Sequence, residues 1–163
     1  MAMAVANLDG DTGQAGPTGD DDEILVGTFF DVDPDHPEHY RMGGSVYAFD
    51  RAYDDDLELL DSLELDYGVC GLHRIPFAGA GDDVHYLIAG TARGHIYLLQ
   101  YDHGRDCDDR LQIVYRSEFL APMAGAYDSI RSFNLTGNVY RVVLGSSGGV
   151  FALDFDLPTS FTP

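Results

Sequence analysis

Apolar residues along this chain fall in short runs cut by turn residues, and three of the runs state one theme. Glu23-Ile24-Leu25-Val26-Gly27-Thr28 leads, after a long connection, into Gly44-Ser45-Val46-Tyr47-Ala48-Phe49-Asp50. Tyr86-Leu87-Ile88-Ala89-Gly90-Thr91 passes through Ala92-Arg93-Gly94 into His95-Ile96-Tyr97-Leu98-Leu99. Tyr140-Arg141-Val142-Val143-Leu144-Gly145-Ser146 passes through Ser147-Gly148-Gly149 into Val150-Phe151-Ala152-Leu153-Asp154. Each unit is an apolar strand, a Gly-Thr or Gly-Ser, a glycine-bearing turn and a second apolar strand. Helical periodicity is weak throughout, so the pattern predicts an all-β chain built from hairpins.

The second glycines of the three hairpins, Gly44, Gly94 and Gly149, set a period of 50 and then 55 residues. Repetition on that scale marks a stacked or radial architecture, and one four-stranded propeller blade takes about 40 to 50 residues. Propellers close with about four to eight blades. This chain of 163 residues holds about three. The expected fold is therefore a partial β-propeller of about three antiparallel blades, not closed on its own and truncated or completed by another chain.

Blades are expected around residues 24–66, 67–120 and 121–157. Residues 1–23, with their glycines, Pro17 and the acids Asp20, Asp21, Asp22 and Glu23, offer too little apolar surface to offset chain entropy and read as a disordered acidic tail. Between Phe29 and Gly43, Pro34 and Pro37 exclude regular pairing. Leu57 to Leu65 reads as an outer strand, although its leucines also suit a short helix. Tyr67 to Ile75 and Ser129 to Asn134 read as inner strands, and Leu111 to Tyr115 as an outer one.

Charge narrows the partners. Asp and Glu number 28 against nine basic residues, all arginine, for a net charge of -19. A nucleic-acid partner would demand a basic face, so that class is excluded. The acidity suits basic partners or simple solubility; it is equally what a GC-rich coding bias or a high-salt habitat would leave. Cys70 and Cys107 lack metal or redox spacing. No signal-peptide pattern opens the chain and no apolar run approaches a membrane span. A cytoplasmic setting without membrane contact is expected.

The hairpin grammar resembles WD-repeat propellers, with Phe49-Asp50 and Tyr101-Asp102 standing where a Trp-Asp pair usually stands. The chain has no tryptophan, so the hydrogen-bonded His-Ser-Asp-Trp set of that family is incomplete here. Within that superfamily the chain resembles the N-terminal part of the diphthine methylesterase family of diphthamide biosynthesis. The carrying stretches are Ile24 to Thr28, Arg41 to Phe49, Gly68-Val69-Cys70-Gly71-Leu72 and Ile88 to Leu98. The likeness covers residues 24–101 well and the remainder loosely. It implies a hydrolase that cleaves the methyl ester of diphthine on translation elongation factor two, which would be the protein partner. No catalytic residue carries over.

The residues themselves supply few candidates. Gly145-Ser146-Ser147-Gly148-Gly149 matches G-x-S-x-G, but that motif works on a strand-to-helix turn and a strand follows here. Asp31, Asp33, Asp35, His36 and His39 fall within nine residues, yet Val32, Pro34 and His36 break a calcium loop and Met42 stands where its bidentate Glu belongs. With Arg41 they read as a solvated, partner-binding loop, without metal or cofactor. Cys70 reads as a space-filling thiol rather than a nucleophile. His73, His85 and His95 have no sequence neighbour that would make them chemical. Three functions compete: the esterase, a non-catalytic WD-repeat scaffold for protein–protein interaction, and, last, a quinone-cofactor propeller, whose tryptophan docking motif is missing. Open blade edges also predict self-association.

Overall fold

The computed structural model describes residues 2–5, 24–29, 31–32, 40–41, 43–51, 57–77, 84–106, 109–117, 129–146 and 148–158. Among these every regular element is a β-strand. The strands are β1 (Ala2–Val5), β2 (Ile24–Gly27), β3 (Asp31–Val32), β4 (Tyr40–Arg41), β5 (Gly44–Arg51), β6 (Leu57–Leu65), β7 (Val69–Ile75), β8 (Val84–Thr91), β9 (Ile96–Asp102), β10 (Leu111–Arg116), β11 (Ser129–Thr136), β12 (Val139–Ser146) and β13 (Gly149–Asp156). They form a first sheet in the order β1-β2-β5-β6, a second in the order β10-β9-β8-β7, a third in the order β11-β12-β13, and a small β3-β4 ribbon. All pairings are antiparallel, and no sheet is closed. The chain is thus three fins of an open propeller.

The sheets stack face to face, and the side-chain pattern shows why. Leu25, Val46, Ala48 and Leu65 of the first sheet pack with Leu87, Ala89, Leu99 and Tyr101 of the second. The opposite face of the second sheet, with Tyr86, Ile88, Ile96 and Leu98, packs with Ile130, Tyr140, Val142 and Leu144 of the third. A strand covered on both faces must be apolar at successive positions. That is the composition of β8 and β9, which are buried along almost their whole length. β12 alternates instead, with Tyr140, Val142 and Leu144 inward and Arg141 outward, because among the described residues its sheet is covered on one face only.

The Gly-Thr signature has an atomic meaning. The Thr28 amide donates to the Ser45 carbonyl (2.9 Å), and the Ser45 amide donates back to Thr28 Oγ1 (2.9 Å). In the next hairpin the Thr91 amide donates to the His95 carbonyl (3.0 Å), and the His95 amide to Thr91 Oγ1 (3.2 Å). One hydroxyl clamps the turn end of each of these two hairpins, which accounts for a small hydroxylated residue there. Gly94 and Gly149 take positive φ values, 82° and 142°, that favour glycine at these turns.

Two expectations change. Ala2–Val5, inside the segment read as a disordered tail, is a strand paired with β2 from Ala2↔Gly27 to Val5↔Ile24, so the first sheet gains an inner strand; residues 6–23 lie outside those described. The long connection after Thr28 carries two rungs of pairing, Asp31↔Arg41 and Val32↔Tyr40, just short of Pro34. Leu57–Leu65 is the outer strand expected of it, and its helix-like leucine spacing comes from a bulge. Ala48 pairs Asp61 while Phe49 pairs Leu59, leaving Leu60 extra. The third sheet has, as read, an inner strand and a hairpin, with no counterpart of β6 or β10 among the described residues.

Candidate functional site

Two places bring polar and aromatic side chains together. The first is the sheet end that carries the clamped hairpin turns. There the Val69 amide donates to the Thr28 carbonyl (2.8 Å) and the Ala92 amide to the Gly68 carbonyl (2.9 Å). These bonds tie the connection at residues 66–68 between the first and second hairpins. The Tyr67 ring stacks on the His95 ring, 5.0 Å between centroids and 9° from parallel. The exposed Arg93 guanidinium lies 5.9 Å from the Tyr67 centroid, within cation–π range. His95 Nδ1 is 3.1 Å from the Ser117 carbonyl, and the Ile96 amide donates to Ser117 Oγ (2.8 Å).

Asp66 extends this rim. Its carboxylate pairs with Arg116 (2.8 Å) and accepts the Tyr97 hydroxyl (3.2 Å). Burial, and then the nearby Asp66 charge, push the Tyr97 phenol above its ordinary pKa, so it stays a donor. The two feet of the connection at residues 29–43, Thr28 and Gly44, lie at the same end. Of the loop residues singled out by sequence, Asp31 and Arg41 face each other as backbone partners across the ribbon. Asp33, Asp35, His36 and His39 lie outside the described residues.

The second place joins the inner strands of neighbouring sheets. His73 Nε2 on β7 lies 2.8 Å from Ser132 Oγ on β11. Alternation puts Gly71, His73 and Ile75 on the face of β7 turned to the third sheet. Burial, and then the positive Arg131, hold the His73 pKa below the ordinary imidazole value. The ring is therefore neutral at neutral pH and able to accept a proton. Sequence reasoning left His73 without a partner because 59 residues separate the two side chains. Only the stacking of successive repeats brings them together.

Other candidates are structural. Burial raises the Cys70 thiol pKa, which lowers its thiolate fraction, and Sγ leans on the Gly68 carbonyl at 3.7 Å. The buried His85 lies 3.1 Å from Arg74 through Nδ1. Ser146 accepts the Gly148 amide (3.1 Å) in a strand-to-strand turn, the geometry in which G-x-S-x-G is not a nucleophile elbow; Ser147 and Cys107 lie outside the described residues. Among the described residues no three His, Cys, Asp or Glu side chains are grouped to hold a metal, and no helix is long and apolar enough to cross a membrane. Against protein-family models and curated protein sequences, the chain matches none.

Proposed function

We propose that the chain is a propeller-type docking module that binds a protein through its loop-bearing end. The observation that carries this reading is the gathering there of the clamped turns, the Tyr67–His95–Arg93 stack and the two feet of the connection at residues 29–43. A half-buried stacked aromatic pair under an exposed arginine, beside a long loop on a rigid scaffold, is a common make-up of a recognition surface. With a net charge of -19, the partner presents a basic face, and the association weakens with salt. A photo-crosslinking residue in place of Arg93 should capture one recurrent partner, while the same residue in place of Asn138, at the far end of the third sheet, should not. Neutralising the loop with Asp33→Asn and Asp35→Asn should weaken capture roughly fivefold, in keeping with two rim charges. Equal capture from both ends removes this reading.

A second reading rests on the His73–Ser132 contact. In it the chain hydrolyses the methyl ester of diphthine on elongation factor two, as the resemblance of residues 24–101 implies. Ser132 Oγ attacks the ester carbonyl while neutral His73 takes its proton and returns it to the departing methoxide, so the C–O bond breaks as methanol and water then cleaves the acyl-serine. Because burial depresses the His73 pKa, the acid limb of the rate profile should lie below about 6.5, the ordinary imidazole value. Ser132→Ala should abolish methanol release from a diphthine methyl ester. Turnover that survives this substitution, or no turnover by the unaltered chain, ends the esterase reading and leaves the docking module untouched.

A further inference from the structure

The third sheet differs from its sisters at one edge. In the first two sheets the second hairpin strand, β5 or β9, is covered by an outer antiparallel strand, β6 or β10. The corresponding strand of the third sheet, β13, pairs with β12 alone among the described residues. Beside it lies a groove of about 310 Å³, lined by Leu98, Val114, Tyr115, Leu153, Phe155 and Pro158, with Asp154 and Asp156 on its rim. Tyr115 of β10 meets Phe155 of β13 edge to face at 5.6 Å, forming the floor between the two sheets. Val114 is 40% exposed and Tyr115 44% exposed, a large share for apolar groups facing a neighbouring sheet.

We propose that β13 binds an extended strand of a partner polypeptide, antiparallel and edge to edge, in which apolar residues alternate with Lys or Arg. The backbone edge supplies the hydrogen bonds. Alternation supplies the sequence preference. Leu153 and Phe155 point to the core side of β13, so every second residue of an added strand drops beside them into the groove. Val150, Ala152, Asp154 and Asp156 point the other way, so the intervening residues lie beside carboxylates. Asp154 is already held by Arg141, at 2.8 Å, which leaves Asp156 to select the basic side chain. A second copy of the chain is disfavoured as occupant by two net charges of -19 and by carboxylates on both apposed edges. The surface is separate from the loop-bearing end, so either reading stands without the other.

The test titrates the full chain with fluorescent peptides as long as β13: valine alternating with lysine, valine alternating with glutamate, and a scrambled valine–lysine control. The alternating lysine peptide should bind about tenfold more tightly than the other two, with new hydrogen-exchange protection confined to β13. Val114→Asp should weaken it about tenfold by placing a charge in the groove. Leu59→Asp, at a still more exposed apolar residue on β6, should leave binding unchanged. Asp156→Arg should reverse the preference toward the glutamate peptide. Binding no better than the scrambled control overturns the proposal. So does a β13 edge already protected without peptide, in a dimer (a second copy seated there) or in a monomer (a segment of the chain itself seated there).

Discussion

Replacing Asp61 by alanine should cost about 3 kcal/mol and lower the melting temperature by roughly 10 °C, since a chain of this size loses about 2–4 °C per kcal/mol. Asp61 is 4% exposed, yet it sits in the strand that closes the first sheet. One carboxylate oxygen accepts the Leu111 amide of β10 at 2.6 Å, and the other accepts the Ser62 amide at 2.6 Å. The first of these bonds crosses from one sheet to the next, over 50 residues of chain. Alanine leaves the Leu111 amide buried without an acceptor, and an unmet buried donor costs more than the bond returned when made. Asp61→Asn keeps one acceptor oxygen but turns an amide donor toward the Ser62 amide, so it should recover only part of the loss. Thermal unfolding followed by circular dichroism decides the matter. A fall of less than about 3 °C for alanine would mean that this carboxylate does not join the sheets.

The same residue shows how far the fold could be read in advance. Strand existence and repeat boundaries were legible because the first two hairpins each carry a clamp, and a hydroxyl after glycine leaves a mark in the sequence at Thr28 and Thr91. The double-sided burial of β8 and β9 was likewise written in an unbroken apolar run. The bulge at Leu60 was not. It moves Leu57 and Leu59 into solvent while Leu60, Leu63 and Leu65 pack inward, so the leucine spacing imitates a helix. An inward Asp61 is a consequence of that shift, and nothing in the local sequence announces a buried carboxylate whose partner is a distant backbone amide.

Long-range pairings were hidden for the same reason. β1 carries only four residues, and its partner β2 lies beyond an acidic segment whose composition dominates the reading. His73 and Ser132 occupy comparable inner strands of successive units, and a repeat register fixes which strands neighbour each other but not which side chains touch. The loop at residues 29–43 was legible as an insertion because it breaks the period. Its role as part of a recognition face became arguable only once its feet at Thr28 and Gly44 were seen beside Tyr67 and Arg93.

Gly44→Ala should be the most damaging single methyl group in the first hairpin, costing roughly 3 kcal/mol or more, at the upper end of overpacking effects. A Cβ at this position would sit on the Thr28 carbonyl oxygen, 2.8 Å from the Gly68 Cα and 2.9 Å from the Val69 amide nitrogen. All three neighbours are backbone, so no side-chain rotation makes room. They are also the atoms of the seam, because the Thr28 carbonyl accepts the Val69 amide at 2.8 Å where the first sheet meets the second. The methyl must part the hairpin, break that bond or shift the connection carrying Tyr67. Gly145→Ala supplies the contrast: its Cβ would rest 3.5 Å from Ser129 Cβ, an ordinary contact, and the cost should stay within the 1 kcal/mol or so that strand glycines usually tolerate. Urea unfolding midpoints of the two variants measure the difference directly. If they agree within about 1 kcal/mol, the seam has slack that the close backbone approach denies, and the two hairpins are joined less tightly than their hydrogen bonds indicate.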